Sequence, residues 1–274
     1  MQSLSNDLRM KGKRIGVVPT MGYLHEGHLS LIRIARRHAD VVVTTIFVNP
    51  TQFGTNEDFS RYPRDLERDK RLASSAGTDF LFVPETQEIY PRTYFTYVNV
   101  EELTAVLEGK SRPTHFRGVT TIVTKLFNIT KPHVAVFGQK DAQQVAVIKQ
   151  MVTDLHFDIE IVVAPIIREQ DGLAMSSRNV YLSSTERADS AVLSQSLQRA
   201  QELIEQGERN SSVLMTEISN MILRKPSAQI DYISIADAIT LRECTVLGTG
   251  MKILILLAVR FGATRLIDNA LLTI

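Results

Sequence analysis

One cysteine, Cys244, is all that 274 residues contain. Neither an intrachain disulfide nor a cysteine-based zinc site can be built from it, which fits a reducing compartment. Long apolar runs are missing too. The longest, 253–259, falls far short of the ~20 residues that a membrane-spanning helix requires. Neither sign of charge dominates. Lys and Arg number 31 against 30 Asp and Glu, a net charge of +1, so neither a nucleic acid nor a membrane surface is implied as a partner. Residues 1–13 are polar and lack the apolar centre of a secretion signal. These absences predict a cytoplasmic protein. What remains, 44% hydrophobic and 22% charged residues, describes an ordinary globule, long enough for one large or two modest domains.

Two common signatures are also absent. No Gly-x-Gly-x-x-Gly follows the first strand, as a dinucleotide fold would want. No His-Glu-x-x-His sets two zinc ligands at i and i+4. In their place stands 19–31, Pro-Thr-Met-Gly-Tyr-Leu-His-Glu-Gly-His-Leu-Ser-Leu. It follows an apolar run, 15–18, that reads as a short buried strand. Leu31, Ile32 and Ala35 follow at helical spacing. The stretch is therefore a strand-to-helix turn, with His25 and His28 on one face where the helix begins. First-turn amides lack intrahelical partners and carry the positive end of the helix dipole, a combination that suits a phosphate chain. Ordinary helix-cap or surface histidines are the competing reading, and zinc is a poorer one at this spacing.

The rest of the chain alternates. Residues 41–48 are β-branched and apolar, as a central parallel strand would be. Helices are predicted over 4–11, 66–76, 120–129 and from 142 onward, and strands over 79–83, 96–100, 134–137 and 159–166. This pattern makes a doubly wound parallel sheet, an α/β Rossmann-like domain over 1–167. A polar loop, 168–184, opens the second domain, 168–274. There, helices over 184–206 (capped by Ser184) and 213–224 precede strands over 230–235, 253–259 and 265–267, a smaller α+β lid.

Four polar clusters fall where a ligand would be met. Asn49 and Gln52 lie at a strand end, and a neutral carboxamide suits hydroxyls or a carboxylate; loop closure explains them equally well. Residues 109–118, bounded by glycines, carry Arg112, His115 and Arg117 and resemble a mobile phosphate clamp or a basic surface loop. Gly138-Gln139-Lys140-Asp141 sets a lysine at a strand-to-helix turn, with Gln144 one turn on; such a lysine is a point charge for phosphate, and Asp141 alternatively caps the helix. Last, Met175-Ser176-Ser177-Arg178-Asn179 offers hydroxyl and guanidinium donors to a triphosphate.

His25-Glu26-Gly27-His28 resembles the HIGH signature of the nucleotidylyltransferase superfamily, and 175–178 resembles its KMSKS-type loop. Within that superfamily the chain resembles the pantothenate synthetase (pantoate–β-alanine ligase) family. The likeness rests on Pro-Thr-Met-Gly at 19–22, Phe-Val-Asn-Pro-Thr-Gln-Phe at 47–53 and Tyr-Pro-Arg at 62–64. It extends to Ser-Arg-Pro-Thr-His-Phe-Arg-Gly at 111–118, Gly-Gln-Lys-Asp-Ala-Gln-Gln at 138–144 and Met-Ser-Ser-Arg-Asn at 175–179. The chain departs from the family in a shorter N-terminus, and in Arg178 where the wider superfamily often has lysine.

The resemblance implies ATP-dependent amide formation through pantoyl adenylate. It implies ATP contacts at Pro19, Thr20, Met21, Gly22, His25, Gly27, His28, Gly138, Gln139, Lys140, Asp141, Ile167, Met175, Ser176, Ser177 and Arg178. Gln52, Gln144, Asn49 and Met21 would meet pantoate and β-alanine. His28 would be the chief catalytic residue, with His25, Lys140, Ser176, Ser177 and Arg178 supporting the phosphates. Mg²⁺ is expected with ATP; Asp69 is a candidate contact for it, or else a surface helix carboxylate. A homodimer is expected as well. Two alternatives stay open: a HIGH-motif nucleotidylyltransferase acting on a phosphate ester, and a non-catalytic nucleotide-binding module.

Overall fold

The β-branched runs of the first half become the centre of a parallel sheet. The structure, a computed structural model, describes residues 1–54 and 57–274. Its first elements are α1 (Gln2–Met10), β1 (Ile15–Thr20), α2 (Glu26–His38), β2 (Val41–Ile46), α3 (Leu66–Ala76) and β3 (Phe80–Phe82). Two single turns, α4 (Thr86–Ile89) and α5 (Glu108–Ser111), precede α6 (His115–Thr130), β4 (Val134–Gly138), α7 (Ala142–Asp154) and β5 (Glu160–Ala164). The strand order is β3-β2-β1-β4-β5, and every pairing is parallel. Ile15, Val17 and Val18 of β1 and Val42 and Val43 of β2 are wholly buried, as strands covered on both faces must be. Helix α2 turns Leu29, Leu31, Ile32 and Ala35 onto Val18, Val134 and Val136. Each aliphatic side chain buried this way contributes roughly 1.5–3 kcal/mol. The strand order reverses between β1 and β4, and open parallel sheets take ligands beyond the carboxyl ends of the strands at such a switch point. β1 ends in the histidine turn and β4 ends at Gly138.

The second sheet is antiparallel, β6 (Ala228–Asp237), β7 (Lys252–Phe261) and β8 (Thr264–Thr273) in that order. Before it come α8 (Ser184–Ser190), α9 (Val192–Glu205) and α10 (Ser211–Leu223). Leu193, Leu197, Ala200 and Ile204 of α9 recur at helical spacing. They pack with Leu214, Ile218 and Ile222 of α10 and with the alternate residues Ile253, Ile255, Leu257 and Val259 of β7. The chain divides into two compact units: Met1–Gln139 with Gln143–Pro165, and Lys140–Ala142 with Ile166–Ile274. Lys140–Ala142, read from sequence as part of the first domain, thus group with the second unit. No helix among the described residues is long and apolar enough to cross a membrane.

Several sequence expectations are revised. Residues 96–100 form no strand. Their polar groups go to helix hydroxyls: Val98 N–H donates to Thr121 Oγ1 at 3.0 Å, and Thr120 Oγ1 donates to Val98 O at 2.7 Å. The helix expected over 184–206 is two, divided at Ala191. Its cap is Ser183, not Ser184, in a reciprocal capping box with Glu186. The basic stretch 109–118 is mostly helical, in α5 and the first turn of α6. Its glycines allow close backbone approach rather than motion: a Cβ on Gly118 would stand 2.5 Å from Thr51 O, and one on Gly109 1.8 Å from Thr104 O.

Candidate active site

The turn between β1 and α2 is held from below by a carboxylate. Gly22 adopts φ +81°, and a Cβ there would lie 2.9 Å from Ile46 Cγ2 and 3.0 Å from Asp69 Oδ2. Gly22 N–H donates to Thr20 Oγ1 at 3.2 Å. Tyr23 follows with φ 50°. Asp69, 1% exposed, accepts Tyr23 N–H on Oδ2 and Leu24 N–H on Oδ1, both at 2.7 Å. Asp69 is therefore neither a surface carboxylate nor a fit for Mg²⁺, because both oxygens are engaged inside the fold.

His25 is the N-cap of α2 and His28 its third residue, and each caps the other. His25 Nδ1 accepts Gly27 N–H at 3.2 Å; His28 Nδ1 accepts His25 N–H at 3.3 Å. The ring centroids are 4.1 Å apart. A capping box normally uses a hydroxyl and a carboxylate; here two imidazoles take both parts. The helix-cap reading is thus met, and it has a chemical consequence. A neutral imidazole that accepts at Nδ1 carries its proton on Nε2, as a donor. The first-turn amides differ from expectation. Gly27 N–H goes to His25, and His28 N–H donates to His25 O at 2.8 Å. With these two amides engaged, the ring N–H groups are the donors that the histidines add at this helix start.

A second cluster surrounds Gln52. Asn49 is 1% exposed. Its Oδ1 accepts from Thr51 N–H (3.3 Å), Thr51 Oγ1 (2.9 Å) and Tyr90 OH (2.9 Å). Its Nδ2 donates to Gly118 O at 3.1 Å and to Gln52 Oε1 at 3.0 Å. With Oε1 engaged, the Gln52 carboxamide offers its NH₂, a donor suited to carboxylate or hydroxyl oxygen. Burial pushes the Tyr90 hydroxyl up to about 12. The main-chain oxygen of Gln52 accepts from His115 Nδ1 at 2.9 Å and from Arg112 Nη2 at 3.2 Å. Arg112 forms a two-pronged pair with Glu57 (2.6 and 2.5 Å) and reaches His115 Nε2 at 3.3 Å. Burial, and then the Arg112 charge, depress His115 to about 4, so it is neutral, donating at Nδ1 and accepting at Nε2. Burial works to raise Glu57, but its hydrogen bond and charge contact with Arg112 leave it below the usual carboxylate value. Arg117 lies over the Tyr97 ring at 4.6 Å. At Arg112 and His115 the geometry forms a brace on the Gln52 main chain.

Of the two glutamines opening α7, Gln143 is structural. It is 3% exposed, accepting from Glu108 N–H at 3.0 Å and donating to Leu103 O and Val106 O at 2.8 and 2.9 Å. Gln144, about 100° further round the helix, is less buried.

In the second unit, 168–174 forms a small hairpin with an Arg168–Ala174 bridge. Met175 N–H then donates to Ile167 O at 2.9 Å, which brings together two residues expected at ATP. Ser176 Oγ accepts Arg178 N–H at 3.2 Å and caps a 3₁₀ turn, Ser177–Tyr181. Asn179 Nδ2 donates to Glu169 Oε1 at 2.7 Å, and Arg187 pairs with both Glu169 and Asp171. The segment read from sequence as a polar loop is tethered by these contacts. Glu57 and Glu169 were missed, and Asp69 was given the wrong role, because an acidic residue on a surface-like stretch gives no local sign of a distant partner.

A family model, that of pantoate-beta-alanine ligase, matches residues 1–271. The chain is 59% identical over 263 residues to the pantothenate synthetase of Acetivibrio thermocellus, covering 96% of this chain and 93% of that one. It is 55% identical over 270 residues to that of Chloroherpeton thalassium, covering 98% and 95%. Among solved structures, pantothenate synthetase from Thermus thermophilus superposes with a TM-score of 0.91 at 45% identity, covering 97% and 96%. Pantoate-beta-alanine ligase from Francisella tularensis, complexed with beta-gamma ATP and beta-alanine, gives 0.78 at 39% identity, covering 98% and 94%.

Proposed function

The chain belongs to the pantoate-beta-alanine ligase family, and from that premise we propose how its side chains join pantoate to β-alanine at the expense of ATP. A carboxylate oxygen of pantoate attacks the α-phosphorus, and the bond to the pyrophosphate oxygen breaks. Pantoyl adenylate and pyrophosphate result. The neutral amine of β-alanine then attacks the acyl carbon, loses a proton, and expels AMP.

The observation that carries this reading is the pair of imidazole caps at the start of α2, His25 on Gly27 N–H and His28 on His25 N–H. It sets ring N–H donors where a strand-to-helix turn meets the sheet's switch point. Displacement at phosphorus needs positioning and stabilisation of oxygen charge, not a nucleophilic side chain. His28 is assigned to the α-phosphate with His25 beside it. Lys140, Ser176, Ser177 and Arg178 are assigned to the support of ATP phosphates. Gln52 and Gln144 hold pantoate, and Gln52 also serves β-alanine. Mg²⁺ enters with ATP, held by phosphate oxygens.

A phosphate-ester acceptor fits less well. Gln52 is neutral, and Glu57 offsets the nearest cation, Arg112. A sensing module would form no AMP from ATP. Pyrophosphate exchange into ATP tests the scheme: pantoate alone should support it, and exchange that waits for β-alanine would rule out a free adenylate. We also propose a cytoplasmic homodimer joined through the first unit, since closed twofold dimers are the commonest oligomers. A monomer mass in light scattering at micromolar concentration would overturn the dimer.

A further inference from the structure

Two segments assigned to the phosphates, the turn bearing Lys140 and the loop bearing Ser176, Ser177 and Arg178, are fastened to one dipeptide in the last strand. Asp268 and Asn269 of β8 are each 2% exposed. In the ladder they stand opposite Leu257 and Leu256. Asn269 Nδ2 donates to the main-chain oxygen of Lys140 at 2.9 Å. Asp268 Oδ2 accepts Arg168 Nη1 at 2.7 Å, and Oδ1 accepts Arg168 Nη2 at 3.0 Å and Asn269 N–H at 2.8 Å. Arg168 Nη1 also donates to Gly172 O at 3.0 Å, closing the hairpin that leads to Met175 and Ser176. A carboxylate and a carboxamide buried side by side are costly in a strand interior, and well-packed apolar residues would serve a sheet at least as well. Their polar contacts, rather than the sheet, account for them.

We infer that Asp268 and Asn269 are positioning residues for the phosphate-binding groups. Asn269 fixes the main chain from which the Lys140 ammonium arm extends. Asp268, through Arg168, fixes the hairpin from which Ser176, Ser177 and Arg178 are presented. The inference rests on the assignment of those four residues to ATP. Neither Asp268 nor Asn269 touches substrate. Their effect is on where charged groups stand, and a displacement of about 1 Å can cost on the order of a hundredfold in rate.

The test uses the full-length protein with MgATP, pantoate and pyrophosphate exchange. Asn269→Asp is nearly isosteric but offers the Lys140 carbonyl an acceptor in place of a donor. We expect kcat/KM for ATP to fall about tenfold or more, while KM for pantoate changes by less than about twofold. The decisive reading is a cycle with Lys140→Ala. If Asn269 acts through Lys140, the double variant is no worse than Lys140→Ala alone, whereas losses that multiply overturn the Asn269 assignment. Asp268→Asn against Arg178→Ala is read in the same way for the hairpin. Full exchange activity in Lys140→Ala or Arg178→Ala would instead sink the assignment of those residues to ATP. Asn269→Gln keeps the donor on a longer arm. Should Asn269→Asp not fold, Asn269→Gln carries the same cycle, with a smaller loss that must again vanish in the Lys140→Ala background.

Discussion

Tyr23 N–H donates to Asp69 Oδ2 at 2.7 Å across 46 residues of chain, and Leu24 N–H donates to the other oxygen at the same distance. A carboxylate accepting two backbone amides makes charge-assisted bonds, each stronger than a neutral one. They hold a turn whose second residue, Tyr23, has positive φ. Asp69→Asn replaces one acceptor with a donor that faces an N–H. It should cost about 2 kcal/mol or more of stability and reduce adenylation at least about tenfold. Thermal unfolding and pyrophosphate exchange measure the two losses. An unchanged exchange rate in a destabilised protein would show that the histidine turn does not depend on this brace.

Gly22→Ala should damage the same turn by a different route. The positive φ is disfavoured for any residue with a Cβ by about 1–2 kcal/mol, and the new methyl meets Ile46 and Asp69 within 3.0 Å. Gly207→Ala is the control, since it shares positive φ (+103°) with nothing within 4 Å. Both variants should lose stability in denaturant melts. Only Gly22→Ala should also lose exchange activity, and equal effects on activity would count against the contact argument.

His28→Ala should lose about 10²–10³ in adenylation rate, or roughly 3–4 kcal/mol, the usual cost of one preorganised donor. Only contacts stronger in the transition state than in bound ATP accelerate chemistry. Amide formation from preformed pantoyl adenylate should suffer much less, because charge then develops at the acyl carbon. Equal losses in both half-reactions would make His28 a structural cap and nothing more.

His115 supplies a pH signature. Its folded value, about 4, lies below the ordinary value near 6.5, so the unfolded chain binds more protons between the two. Stability therefore rises with pH through that window. The His115 contribution, on the order of 3 kcal/mol, is complete above pH 6.5 and is lost as pH falls toward 4. Glu57, itself held below the usual carboxylate range, weakens only below about 4.5, but burial also lowers His133, so between pH 6.5 and 5 it is the difference between parent and His115→Gln that isolates His115. Denaturant melts of His115→Gln should show a shallower fall across that interval. A slope matching the parent protein would mean that His115 titrates normally.

Much of the site was legible because its elements are local. The 41–48 run announces a buried parallel strand through its almost wholly β-branched and apolar character, with Thr44 and Thr45 its only polar residues. His25 and His28 announce themselves by spacing, since i and i+3 at a helix start can be read without coordinates. Ser183 and Glu186 were nearly legible, and the cap was misplaced by one residue because adjacent serines offer the same hydroxyl. The failures share a cause. The segment 96–100 has strand-forming residue types, but composition does not say whether a ladder partner exists, and Thr120 and Thr121 took the hydrogen bonds. Glycines 109 and 118 suggested mobility, whereas the backbone of another segment lies where their side chains would be.

The sequence by itself determined the class of chemistry. Residue types capable of stabilising phosphate charge, His25, His28 and Lys140, stand at turns that periodicity assigns to element ends, and Arg178 stands in the polar loop that follows the first domain. The absence of excess charge, cysteine pairs and long apolar runs removed the competing classes. Only the tertiary structure decided which groups hold those residues in place. Asp69, Asn49, Glu57, Asp268 and Asn269 act on backbone or side chains distant in sequence, through hydrogen bonds whose partners are set by how strands and helices pack. A buried polar contact depends on two positions meeting in space, and a linear chain records the residues without recording the meeting.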